Sequence, residues 1–429
     1  MIVLILLNAL APLAALGVAA AFLFSPRRHL LRDLPSELGE RLGGLSAAAR
    51  AALAGRRVLW VHAASAGEVA AVAEMLRRLR HEPSPAAVVL STMTRAGRDA
   101  AQRLEGVDVA VLAPIDCCWT VRRFLRQTRP FALILVETEL WPNMIEFSGR
   151  QGLRLALVNG RISERSFGRY RLAAPFLRPI LARLDKVAAQ TQADARRFMA
   201  LGVLEERIAV AGNMKYDRLS AAQDERGRQK LDSLGWQGRC VLVAGSTHPG
   251  EEEIVLQGFL AARRKFPRLG LVLAPRHVER ADGAAARLQS LGVKFARLSQ
   301  DQPAPDCDAL LVDSMGWLQS FYACASAAFV GGTLVPVGGH NVLEPAAAGA
   351  PVIFGPHVAN TRETAEALIS CGAGFMARDA GALSDVLCRL LAEPEFASRC
   401  GTQAKKLVRQ LQGATQRSMD QLSCILNLR

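Results

Sequence analysis

Short runs of apolar, β-favouring residues recur along this chain with amphipathic stretches between them. Strands buried on both faces and joined by crossover helices give that pattern; a helical bundle does not. One series of runs lies at 58–61, 87–90, 109–112, 132–136, 155–158 and 187–189, and a second at 241–244, 271–273, 310–312, 328–330 and 352–354. Residues 217–237 (DRLSAAQDERGRQKLDSLGWQ) separate them, polar and without a strand pattern, as a linker would be. At 429 residues the chain exceeds what one core usually serves. The expectation is therefore α/β, with two Rossmann-like domains, 27–216 and 238–429, facing a cleft. In open parallel sheets ligands sit beyond the carboxyl ends of the strands, so the residues just after each run carry the interest.

Charge narrows the partner. Lys and Arg total 53 against 39 Asp and Glu, a net charge of +14, which favours an anion. With three Tyr, five Trp and no long basic block, the chain lacks the interleaved stacking aromatics of a nucleic-acid module, so no nucleic-acid partner is expected. Nine cysteines at irregular intervals, without C-x-x-C, suggest neither a disulfide framework nor a zinc site, and point to a reducing compartment.

Residues 1–24 carry no charge and as a helix would measure about 36 Å, enough to cross a bilayer. Arg27, Arg28 and Arg32 follow the apolar run, the reverse of a cleavable signal. Residues 1–26 are thus expected to be a membrane anchor, with the body on the cytoplasmic side. Pro12 interrupts the run, so a helix lying in one leaflet is the alternative.

Several strand ends carry chemistry. After the first run comes W-V-H-A-A-S-A-G-E (60–68), which puts Glu68 in the first turn of a helix, where a carboxylate either caps the helix or serves as a general base. E-T-E-L-W-P (137–142) sets Glu137 two residues before Glu139. No His or third acid lies nearby in sequence, so a metal site is not expected; the plain alternative is a salt bridge, with Trp141 and Pro142 packing the turn. G-N-M-K (212–215) brings Lys215 to another strand end. In the second half, A-G-S-T-H-P-G (244–250) precedes E-E-E and could hold a phosphate or cap a helix. Pro275, Arg276 and His277 end the next strand, and Arg276 suits bidentate contact with phosphate. Densest is G-G-T-L-V-P-V-G-G-H-N-V-L-E (331–344): glycines admit a ligand to the backbone, amides of a new helix face an anion, and Glu344 can accept from a ribose diol.

Taken in order, W-V-H-x-x-S-x-G-E (60–68), T-M-T-x-x-G (92–97), E-T-E-L-W-P (137–142), N-x-R-x-S-x-R-S (159–166), P-R-H (275–277), D-S-M-G (313–316) and G-G-H-N-x-L-E (338–344) closely resemble the Kdo transferases, which add 3-deoxy-D-manno-octulosonic acid to the lipid A precursor. The match extends from about residue 30 to 425. The resemblance implies a GT-B glycosyltransferase at the cytoplasmic face of the inner membrane, with CMP-Kdo as donor, a tetraacylated disaccharide bisphosphate as acceptor, inversion at the transferred carbon, and no cofactor or metal. By motif position it implies Glu68 as proton acceptor, and Glu137 and Lys215 as stabilisers of the transition state. Pro275 and Arg276, Met315, Gly316 and Trp317, and Asn341, Val342, Leu343 and Glu344 fall on segments that contact CMP. Arg95, Arg161 and Arg165 are candidate contacts for the acceptor's phosphates. The rival readings are another GT-B enzyme, such as a heptosyltransferase, and a membrane-tethered nucleotide-binding protein without catalysis.

Overall fold

The computed structural model describes residues 34–82, 85–219, 225–300 and 306–426. The expected anchor, 1–26, lies outside the described residues; among those described, no helix is long and apolar enough to cross a membrane.

The chain divides into two compact units, each built on a seven-stranded, wholly parallel sheet. In the first unit β1 (Val58–His62), β2 (Ala87–Thr92), β3 (Val109–Leu112), β4 (Pro130–Val136), β5 (Arg154–Gly160), β6 (Lys186–Ala189) and β7 (Ile208–Val210) run in the order β3-β2-β1-β4-β5-β6-β7. In the second, β8 (Val241–Thr247), β9 (Gly270–Pro275), β10 (Phe295–Arg297), β11 (Ala309–Leu311), β12 (Ala327–Val330), β13 (Val352–Phe354) and β14 (Gly374–Met376) run β10-β11-β9-β8-β12-β13-β14. The helices that bear on the sites are α1 (Ala66–Arg80), α2 (Pro142–Arg150), α3 (Arg226–Ser233), α4 (Glu251–Arg263), α5 (Leu343–Ala348) and α6 (Ala414–Leu426).

Central strands are buried throughout, as in β1, because helices cover both faces of a parallel sheet. That burial wrote the apolar runs into the sequence. The sheet order reverses beside β1 in the first unit and beside β8 in the second, and these switch points open crevices at the carboxyl ends of β1 and β4, and of β8 and β12.

The partition differs from the expected one. The first unit ends at Asp217 but regains the chain from Gln412 onward, which had been assigned to the second domain; the second unit is Arg218–Leu411. Met419, Leu422 and Leu426 recur at helical spacing on α6 and pack with Leu59, Ile134 and Met214 of the first core. The Asp217 carboxylate fixes the start of α6, accepting from the amides of Gly413 at 2.6 Å, Ala414 at 3.2 Å and Thr415 at 2.6 Å. The expected linker 217–237 is also largely folded: it contains α3, and Leu231 and Trp236 enter the second unit's core.

Candidate functional site

In the first unit, β1 ends at His62 and the chain turns into α1 at Ser65. The Ser65 hydroxyl oxygen accepts from the Glu68 amide at 3.4 Å. Glu68 answers by accepting from the Ala64 amide at 2.7 Å and from the Ser65 hydroxyl at 3.2 Å. The capping role is therefore real, but it does not exhaust the residue. Burial raises the Glu68 carboxyl to about 7; the Ala64 amide opposes the rise, the charges of Glu139 and Glu137 add to it, and the Ser65 hydroxyl opposes it. A carboxyl that titrates near neutrality at a strand's carboxyl end is suited to proton transfer.

Glu137 leaves β4 in the left-handed region, at φ 60°, and Asn159 does the same at the end of β5, at φ 53°. For non-glycine residues this costs about 1–2 kcal/mol each, so the surroundings must hold them there. Glu137 Oε1 pairs with Lys215 Nζ at 2.6 Å and accepts from Asn159 Nδ2 at 3.3 Å. Asn159, fully buried, also accepts from the Met214 amide at 3.0 Å, and so ties Glu137 to the segment that carries Lys215. The expected salt-bridge alternative for the two glutamates is thus realised at Glu137, and Pro142 opens α2. Glu139 instead accepts from Trp141 Nε1 at 2.6 Å and lies 3.6 Å from Nε2 of His62, which is buried. His62 Nδ1 is 2.9 Å from the Ser91 hydroxyl, which accepts from Trp60 Nε1 at 2.8 Å. The sequence reading passed over His62, Ser91 and Asn159. Asp116 is a further such residue: it accepts from the Asn143 and Met144 amides at the start of α2, and burial raises its carboxyl. Among the acceptor-phosphate candidates, Arg95 pairs with Glu37, whereas Arg161 and Arg165 are exposed.

In the second unit, Pro275 and Arg276 meet Met315 and Gly316 around a pocket of about 120 Å³, with Ser246 and Ser314 also in its wall. Arg276 is exposed and makes no ion pair among the described residues. Trp317 does not line this pocket. Its ring lies 6.0 Å from that of Phe321, with the Arg226 guanidinium 5.1 Å over it, and packs against the second unit's core. A larger pocket, about 410 Å³, lies at the end of β13 among Val337, Phe354, Arg362 and Met376. It includes none of the candidate residues.

Asn341 Nδ2 donates to Glu344 at 3.2 Å, and its Oδ1 accepts from the Leu343 amide at 3.1 Å. Burial raises the Glu344 carboxyl, against the pull of Asn341 and Arg276. Val342 and Leu343 are fully buried, and the Leu343 amide is already taken by Asn341. Helix α5 has six residues, too short for the strong amide focus expected at its start. The segment 244–250, read as either a phosphate site or a helix cap, engages the helix that follows it. Glu251, fully buried, accepts from the amides of His248 at 2.8 Å, Gly332 at 2.7 Å, Thr333 at 2.9 Å and Leu334 at 2.8 Å. The carboxylate thus takes one amide of 244–250 and three of the glycine-rich segment that follows β12. Gly331 is required beside it, since a Cβ there would stand 2.2 Å from the Ser246 carbonyl oxygen.

Comparison with known proteins matches residues 36–218 to the family described as 3-deoxy-D-manno-octulosonic-acid transferase (kdotransferase). A 3-deoxy-D-manno-octulosonic acid transferase of Bordetella pertussis is 36% identical over 394 residues, 89% of this chain and 90% of that protein. One from Haemophilus influenzae is 34% identical over 367 residues, 85% and 86% of the two chains. Among solved structures, the UDP-GlcNAc 2-epimerase of Neisseria meningitidis, bound to UDP-GlcNAc, superposes with a TM-score of 0.60 at 13% identity, covering 85% of this chain and 99% of that one. That likeness shows the fold alone.

Proposed function

Because this chain belongs to the 3-deoxy-D-manno-octulosonic acid transferase family and is a glycosyltransferase, we propose that it transfers Kdo from CMP-Kdo to the lipid A precursor, with Glu68 as the base. The observation that carries this is the Glu68 carboxyl, raised to about 7 at the switch point of the first sheet. An acceptor alcohol is a poor nucleophile. As its oxygen bonds to the anomeric carbon, its proton passes to Glu68, and the bond from that carbon to the phosphate oxygen breaks on the opposite face with inversion. CMP leaves with the bonding electrons, and its phosphate gains a negative charge. Arg276 supplies a cation for that charge, Lys215 is oriented by Glu137 for the same transition state, and side chains rather than a metal carry the load. Pro275, Met315 and Gly316 shape the nucleotide pocket, the Asn341–Glu344 pair takes the ribose, and the buried Val342 and Leu343 hold that pair in place.

The acceptor's phosphates match the net charge of +14, and its acyl chains explain a tether formed by residues 1–26 at the cytoplasmic face of the inner membrane. The test is incubation of the purified full chain with CMP-Kdo and the acylated disaccharide bisphosphate, read by mass spectrometry. Whole Kdo additions accompanied by released CMP support the reading. Transfer from a UDP- or ADP-sugar instead, or CMP-Kdo left unconsumed, overturns it.

A further inference from the structure

Three neighbouring strands of the second unit deliver titratable side chains at their carboxyl ends: Arg276 and His277 after β9, His248 after β8, and His340 in the loop after β12. His248 and His340 meet Nε2 to Nε2 at 2.8 Å, with ring planes 7° apart and centroids 5.0 Å apart. That is not a face-to-face stack. Two imidazoles lying edge to edge in one plane through a hydrogen bond between their Nε2 atoms have centroids about 5 Å apart. Such a bond needs one N–H and one lone pair, and an imidazolium has no lone pair to accept with. Both rings therefore cannot be cations while the bond stands. The empty couple is neutral, and it can gain one proton, on Nδ1 of the donating ring, without losing the bond.

The surroundings oppose that gain until an anion arrives. Burial lowers the pKa of both histidines; Arg276 adds to this at His340, and His277 at both. Arg280 also disfavours charge on His248. Glu251 and Glu252 pull the other way, but Glu251 is occupied by four backbone amides, and Glu252 by Arg280 and the Thr247 hydroxyl. An anionic oxygen beside Arg276 would offset the cost of burying a charge on the couple and the repulsion from Arg276 at His340.

Building on the donor reading above, we propose that His248 and His340 form a proton-sharing couple of the donor site that contacts an anionic oxygen of the nucleotide sugar beside Arg276, so that donor binding draws a proton from solvent. The oxygen belongs either to the phosphate, present in CMP and CMP-Kdo alike, or to the sugar carboxylate, present in CMP-Kdo alone. By linkage, donor affinity then rises as pH falls toward 6.

Calorimetric titration of the full chain with CMP and with CMP-Kdo, near pH 7 in two buffers of different ionisation enthalpy, counts the protons taken up. Uptake with both ligands supports the couple on the phosphate, and uptake with CMP-Kdo alone supports it on the carboxylate. His248→Gln and His340→Gln keep a hydrogen-bonding amide but cannot titrate. Each is expected to abolish the uptake and to weaken donor binding about tenfold at pH 6, and less at pH 8. Thermal melts establish that the variants are folded, and the wild-type proton count stands whether or not they are. CMP-Kdo bound by the wild type without proton exchange overturns the couple and leaves the donor reading intact. CMP-Kdo that does not bind at all overturns both.

Discussion

At the carboxyl end of the first sheet, Glu68, Glu137 and Glu139 converge, and the only cation paired to them among the described residues is Lys215. At the same end of the second sheet stand Arg276, His277, His248 and His340, while the fully buried Glu251 is turned inward onto four amides. Both sheets are parallel and seven-stranded, with a switch point at a central strand, so the scaffold does not account for the contrast. Charge at the strand ends does. Burial, and after it the like charges of Glu139 and Glu137, raises the proton affinity of Glu68, which suits the first unit to receiving a proton. The exposed Arg276, beside a loop fastened by Glu251, suits the second to holding an anion that gains charge. On the proposed reading, the base belongs to the first unit and the contacts with the departing phosphate lie mainly in the second.

The hardest blow to that division is Glu68→Ala. If the proton is taken in the first unit, steady-state transfer falls about 10²- to 10⁴-fold, while CMP binding, measured calorimetrically, stays within a factor of two. The wild-type rate should fall as pH drops through about 7, because the carboxyl must be ionised to accept. A variant retaining more than a tenth of the rate, or a rate flat from pH 5 to 8, breaks the assignment.

Glu251→Ala probes the opposite unit. It leaves four amides without their shared acceptor, and the expected cost is about 3–5 kcal/mol, as when a buried charged network is broken. A lowered melting temperature, with faster amide exchange confined to His248 and Gly332–Leu334, would show that the loop is fastened this way. Unchanged exchange there would show that it is not. Next in size, Arg276→Ala should raise the donor KM about tenfold with a smaller effect on acceptor KM, and an unchanged donor KM would remove Arg276 from the anion's contacts.

The contrast was only partly legible in the sequence. Buried central strands announced themselves because both faces had to be apolar, but β7, β10 and β14 went unread. All three lie at sheet edges, three residues long and flanked on one side only, so nothing obliged them to form an apolar run. Glu68 was readable because its helix cap is local. Glu251 misled for the same reason: three acids at a helix start look like dipole compensation, and its real partners lie more than eighty residues downstream. The Glu137 pairing with Lys215 and the return of α6 to the first unit are likewise contacts between distant segments, invisible to spacing. Val342 and Leu343 sat inside the most glycine-rich motif, yet their side chains serve the core.

The smallest expected effect bears most directly on why the first unit's acid is poised. Glu68 has a folded-state pKa of about 7, against about 4.3 in an unfolded chain. A raised pKa means that the folded state binds the proton more tightly. Its stabilising contribution is complete below the ordinary carboxylate range and is lost as pH rises through about 7. Glutamine keeps an oxygen for the Ala64 amide but never ionises. Glu68→Gln should therefore match the wild type in stability near pH 4 and exceed it at pH 8, by about 1 kcal/mol once solvent screening at this half-buried site is allowed for. Denaturant melts across that range measure the difference directly. A gap independent of pH would mean that Glu68 is an ordinary helix cap, ionised in both states, and the acidic cluster would lose its claim to prepare a base.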